Sequence, residues 1–160
     1  MKGVRIGIFI AVVALIGVSQ TRSAEKNRPT PGSDSEKLIG AWRLVSITAP
    51  GPDGKPLSIA QPTGILIYTR DGHMSVQLMY PKSANAVSNE YVQAGYEASF
   101  GSYHVNEATH TVTHHVEGSI ARDLLVGKDL PRVYQFSGNR HLIIKPARPD
   151  EHWSVTWEHY

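Results

Sequence analysis

The sequence predicts an all-β fold: an eight-stranded antiparallel up-and-down barrel with one short helix between its third and fourth strands. Three observations carry this expectation. From Lys37 onward, apolar and aromatic residues alternate with polar ones in short runs, the period of half-buried strands. Turn signals such as Asp71-Gly72 and Ser137-Gly138-Asn139 separate the runs closely enough to make hairpins of sequential neighbours. Eight such runs are enough to close a sheet on itself and so remove its open edges.

Taken in order, residues 1–23 read as a signal peptide. Lys2 and Arg5 supply a positive start, and residues 6–18 are apolar or glycine. That run is shorter than the roughly 20 residues needed to cross a bilayer. Thr21 and Ser23 are the small residues that suit cleavage after Ser23. The expectation is export to a periplasmic or extracellular space, with no stable membrane insertion after cleavage. Residues 24–36, "AEKNRPTPGSDSE", are polar and rich in Pro, Gly and Ser, as a flexible linker is. Residues 37–160 then form the barrel domain. Loss of Lys2, Arg5 and Arg22 reduces 16 basic residues to 13 against 14 acidic ones, a net charge of −1. Such a balance argues against a nucleic-acid partner. The absence of cysteine excludes a disulfide framework, thiolate metal ligands and a cysteine nucleophile.

The eight runs are residues 38–48, 64–69, 73–79, 101–106, 109–117, 131–137, 140–146 and 152–159. Asp71-Gly72 is a type I′ hairpin signal between the second and third. Residues 106–109 close the fourth on the fifth, and Ser137-Gly138-Asn139 closes the sixth on the seventh. A longer loop, residues 50–56, follows the first. The helix is expected over residues 88–100, "SNEYVQAGYEASF", with Ser88 as N-cap, Glu90 in its first turn, and Tyr91, Ala94 and Ala98 near helical spacing.

The fifth run, "THTVTHHVEGS", holds the most chemistry. Side chains alternate across a strand, so His114 and His115 point to opposite faces. Val112 and Val116 flank His114, which places His114 on the inward side. If residues 106–109 are the turn, Val105 pairs with His110, Tyr103 with Val112 and Gly101 with His114. Glycine opposite His114 would leave room there for an imidazole or part of a ligand. In the sixth run Arg132, Tyr134 and Phe136 share a face. An inward Arg132 needs an anion, either an acid of the protein or a ligand. A zinc site is disfavoured: His110 and His114 share a face but lie about 13 Å apart along a strand. His104 and His115 share the other face, with no third ligand evident. No metal and no cofactor are expected.

Several longer segments resemble a known family. "LIGAWRLVSI" (38–47), "GILIYTRDGHMSVQLM" (64–79), "YEASFGSYHVNEATHTVTHHVEGS" (96–119), "RVYQFSGNRHLI" (132–143) and "VTWEHY" (155–160) are similar to the lipocalin-like domain family of small bacterial and fungal proteins. The likeness runs over residues 38–160 and leaves out the leader and linker. Gly40-Ala41-Trp42 also resembles the G-x-W of true lipocalins, whose Trp closes the barrel base. The resemblance implies a calyx-type barrel whose lumen accepts a small hydrophobic molecule. It supplies no catalytic set to carry over.

The leading expectation is therefore an exported binding protein. Tyr103, His114, Arg132 and Tyr134 would offer polar contacts in a cup lined by Trp42, Leu44, Val112, Val116, Phe136 and Trp157, with Tyr68 and Gln77 as lesser candidates. The alternative is a cofactor-independent isomerase or cyclase. There, His114 is the general base beside a substrate carbonyl, and Arg132 or the Tyr103 hydroxyl stabilises the enolate. A barrel filled by its own side chains, serving as an interaction module, is the third possibility.

Overall fold

The computed structural model describes residues 30–50, 55–59, 61–82 and 90–160. Within them the alternating runs become nine strands: β1 (Gly40–Pro50), β2 (Pro56–Ile59), β3 (Thr63–Tyr68), β4 (His73–Met79), β5 (Tyr96–Asn106), β6 (Thr111–Ser119), β7 (Asp129–Ser137), β8 (His141–Pro146) and β9 (Ser154–His159). From β3 to β9 each strand pairs antiparallel with the next, and β9 returns to β1, so the sheet closes. β2 and β3 lie end to end along the same edge of β1, because β9 occupies its other edge over the same residues. The wall is thus an eight-strand barrel in which β2 and β3 together supply one interrupted stave. The signal-peptide expectation falls outside the described residues. No described helix is long and apolar enough to cross a membrane.

The helix expected over residues 88–100 is corrected where that segment is described. Residues 90–95 are bends and turns joined by a Gln93–Tyr96 bridge, and Ala94 and Gly95 take positive φ. Tyr96–Phe100 is the first half of β5, paired with β4 from Met79 to Ser75. The helical spacing of Tyr91, Ala94 and Ala98 loses to this ladder, which satisfies the backbone and suits the aromatic Tyr96 and Phe100. The two short helices lie elsewhere: α1 (Asp34–Leu38) before β1, and α2 (Arg122–Leu125) between β6 and β7. The last three residues of the expected linker, 34–36, belong to α1 because Ser33 caps it, its hydroxyl accepting from the Glu36 N–H at 3.2 Å.

α1 seals one end of the barrel. Leu38 is fully buried, and the Trp42 indole N–H donates to the Leu38 carbonyl at 2.9 Å. Arg70, in the β3–β4 turn, grips Glu36 with two 2.7 Å hydrogen bonds. Ser35 donates from its hydroxyl and its backbone N–H to Glu107 in the β5–β6 turn, at 2.6 and 2.9 Å. The long connections, including α2 and residues 147–153, gather at the opposite end, called here the loop end.

Two hairpins differ from expectation. The β3–β4 turn is not type I′, which needs positive φ at both central residues. Gly72 alone has it there, and its N–H donates to the Thr69 carbonyl at 3.2 Å, a tighter turn followed by a left-handed glycine. In the β5–β6 hairpin the turn is one 3-10 turn, Glu107–Thr109, with His110 left-handed behind it. The register is therefore Val105 to Val112, Tyr103 to His114 and Gly101 to Val116. The expected pairing is displaced by two residues. A shift of two preserves every face, so the inward phase of His114 stands. Gly101 does not make room for a ligand: a Cβ there would meet the His115 carbonyl oxygen at 2.0 Å.

Candidate functional site

Cross-strand register decides which side chains enter the barrel. On β4, Met74, Val76 and Leu78 are buried while Gln77 is exposed, so Gln77 points outward and its candidacy ends. The partners of the buried three on β5 are Gly101, Ser99 and Glu97, which consequently face inward. Tyr103 continues that face and meets His114. On β7, Arg132, Tyr134 and Phe136 face inward, Arg132 opposite the buried Val112. Trp42 and Trp157 face inward from β1 and β9.

The structure sorts these residues by height. Trp42, Tyr134 and Phe136 belong to the sealed half. The Tyr134 hydroxyl donates to Asp34 of α1 at 3.3 Å, and burial raises its pKa above the ordinary phenol range. Lys37 of α1 lies 5.5 Å from the Phe136 ring centre. These groups tie the plug to the wall, so they close the cup more than they line it. Trp157 lies in the same half, 2% exposed, and its indole N–H is the one buried side-chain polar atom without a hydrogen-bond partner among the described residues. Val116 packs with Ala121 and Leu125 beneath α2, apart from the main core.

At mid-height sits an imidazole among phenols. His114 is 8% exposed, and its Nε2 lies 2.7 Å from the Tyr68 hydroxyl oxygen. The Tyr68 ring also packs on Tyr103, 4.8 Å between centres, and the Tyr103 hydroxyl donates to the Thr69 carbonyl at 2.9 Å. Burial, helped by the nearby Arg132 charge, pushes the His114 pKa down to about 3. Burial pushes the Tyr68 hydroxyl the other way, above the ordinary range. Both groups are neutral near pH 7, and the imidazole tautomer sets which one donates.

Towards the loop end Arg132 finds its anion within the protein. Its guanidinium lies 4.0 Å from Glu151, between the Tyr91 and Trp153 rings at 5.2 and 4.9 Å. Glu151 also takes the Trp153 indole N–H at 2.7 Å, the Tyr91 hydroxyl at 3.2 Å and Arg148 at 3.0 Å. The sequence reading left open a protein acid or a ligand anion for Arg132; Glu151 fills that role.

Glu97 was missed by sequence reasoning. It faces inward opposite Leu78, is only partly exposed, and makes no hydrogen bond or ion pair among the described residues. Burial pushes its carboxyl up to about 7, with the Arg132 charge opposing. The signal was present: Glu97 shares parity with Ser99, Gly101, Tyr103 and Val105, so extending the fourth run backwards would have placed it inside. The helix expectation concealed it. His104 and His115 lie on the outer wall, His115 bonded to Asp129 at 2.7 Å. Among the described residues no three His, Asp or Glu side chains gather as a metal-ligand set.

The family model described as a lipocalin-like domain matches residues 39–159. No curated protein matches the chain. Among solved structures, a redesigned β-barrel is similar at 10% identity over 82% of this chain and 99% of its own, with a TM-score of 0.46. A mutant of the fluorescent protein UnaG is similar at 12% identity over 78% of this chain and 97% of its own, with a TM-score of 0.40.

Proposed function

The chain belongs to the lipocalin-like domain family, and from that premise we propose that it binds a small hydrophobic molecule in the loop-end half of its barrel. One observation carries the reading. Glu97 faces inward from β5 in the loop-end half and makes no hydrogen bond or ion pair among the described residues. A barrel filled only by its own side chains would carry an apolar residue at such an inward position or pair the carboxyl with a donor. A lumen that receives a guest leaves the carboxyl for it. The sealed half gives the guest an apolar floor, and Arg132, held by Glu151 and two rings, gives a fixed cationic wall. Export to the periplasm or outside the cell is part of the proposal and rests on residues 1–23.

The alternative, an isomerase or cyclase with His114 as general base, has less support. A base works best with a pKa near the operating pH. His114 is pushed to about 3, and Tyr68 occupies its Nε2.

Native mass spectrometry of the purified full chain tests the proposal, together with titration by the neutral apolar dye Nile red. The expected result is a co-purified hydrophobic molecule, or Nile red whose emission rises and shifts to the blue at one site per chain. A folded protein that carries no molecule and leaves Nile red emission unchanged rejects binding in favour of the filled barrel.

A further inference from the structure

We infer that the guest is an uncharged hydrophobic molecule carrying a hydroxyl or amide N–H, which it donates to the Glu97 carboxyl. The inference rests on the binding reading above and deepens it. Glu97 enters the lumen near the loop end, where a guest would have its polar terminus while its apolar part lies on the floor. Above its pKa of about 7 Glu97 is ionised, and a carboxylate can only accept hydrogen bonds. Among the described residues nothing donates to it. Its directly opposite neighbour, Leu78, is apolar.

The charges facing Glu97 narrow the class. Arg132 is near enough for its charge to act on Glu97, on His114 and on Tyr68, yet no ion pair joins it to Glu97 because Glu151 and the Tyr91 and Trp153 rings hold the guanidinium. Tyr80, the other titratable group coupled to Glu97, is neutral there. A ligand ammonium would sit in an enclosed site beside an arginine already in place, and a ligand carboxylate would face Glu97. A neutral donor meets neither repulsion. It supplies what the carboxyl lacks and leaves the Arg132 cage intact.

Competition against Nile red on the full chain at pH 8.5, where Glu97 is ionised, tests this with a matched series: decan-1-ol, decanamide, 1-methoxydecane, decylamine and decanoate. The alcohol and the amide should each displace the dye about tenfold better than the ether, the effect of one enclosed hydrogen bond. In Glu97→Leu that preference should disappear while Nile red still binds. Glu97→Gln, which keeps an acceptor oxygen and nearly the same volume, should retain part of it and serves if the leucine variant does not fold. Equal displacement by ether and alcohol in the wild-type protein overturns the donor assignment and leaves binding standing. Strongest displacement by decanoate or decylamine overturns it in favour of a charged guest. Wild-type protein that carries no co-purified molecule and does not bind Nile red removes the binding reading itself, and this inference with it.

Discussion

His114 is held by a single hydrogen bond between two neutral groups in an apolar surround, and that arrangement sets its behaviour. Removing the Tyr68 hydroxyl leaves the imidazole nitrogen unanswered with little water to replace it. Tyr68→Phe should therefore destabilise the fold by about 1–3 kcal/mol, read from urea denaturation at pH 7. An unchanged midpoint would mean that the 2.7 Å contact contributes nothing. Sequence reasoning found the inward face of His114 because Val112 and Val116 report the strand phase on either side of it. Tyr68 was legible only as a lesser candidate, because "ILIY" is a continuous apolar and aromatic run and gives no phase. Glu151 was not legible: it lies beyond β8 in residues 147–153, and its approach to Arg132 depends on the closure of the whole barrel.

At the scale of elements, the β5–β6 hairpin shows what a pattern can and cannot specify. Alternation fixes which face each residue takes, but a register displaced by two obeys the same alternation. Turn chemistry decides between them, and here the 3-10 turn with a left-handed His110 sets the four-residue connection one position further along the chain, at 107–110. The register also gives Gly101 its role. A bulge at Glu117 brings the β6 backbone against it, and a methyl group there would overlap the His115 carbonyl oxygen. Gly101→Ala should cost more than the roughly 1 kcal/mol typical of a point substitution, because the clash is with backbone and no side chain can swing away. If thermal unfolding of this variant matches wild type, the close approach is not what the glycine serves. α1 was hidden for a different reason. Its five residues carry too little periodicity to stand out from a polar linker, and it is held chiefly by partners distant in sequence, Arg70, Glu107 and Tyr134. Leu38→Ala should lower stability by about 2–5 kcal/mol, measured by the same denaturation, since it empties a fully buried site under the plug.

At the scale of the molecule, the two enclosed titratable groups should act against each other as pH changes. His114 has a folded pKa of about 3, below its ordinary 6.5, so between those values the unfolded chain binds more protons and stability rises with pH. Glu97 has a folded pKa of about 7, above its ordinary 4.5, so between those values the folded chain binds more protons and stability falls as pH rises. The two windows overlap from pH 4.5 to 6.5, where the slopes have opposite sign and nearly cancel. Below that overlap His114 acts with carboxylates such as Asp34 and Asp71, whose partners hold them below their usual values, and all favour a loss of stability in acid. The wild-type profile should therefore be nearly flat across the overlap. Glu97→Gln removes one of the two opposing slopes, so its stability should climb by up to about 3 kcal/mol from pH 4.5 to 6.5, while wild type does not. Urea denaturation at pH 4.5, 5.5 and 6.5 with both proteins tests this without any ligand. Parallel profiles would mean that the Glu97 carboxyl titrates as it would in water, and would remove it from the barrel interior.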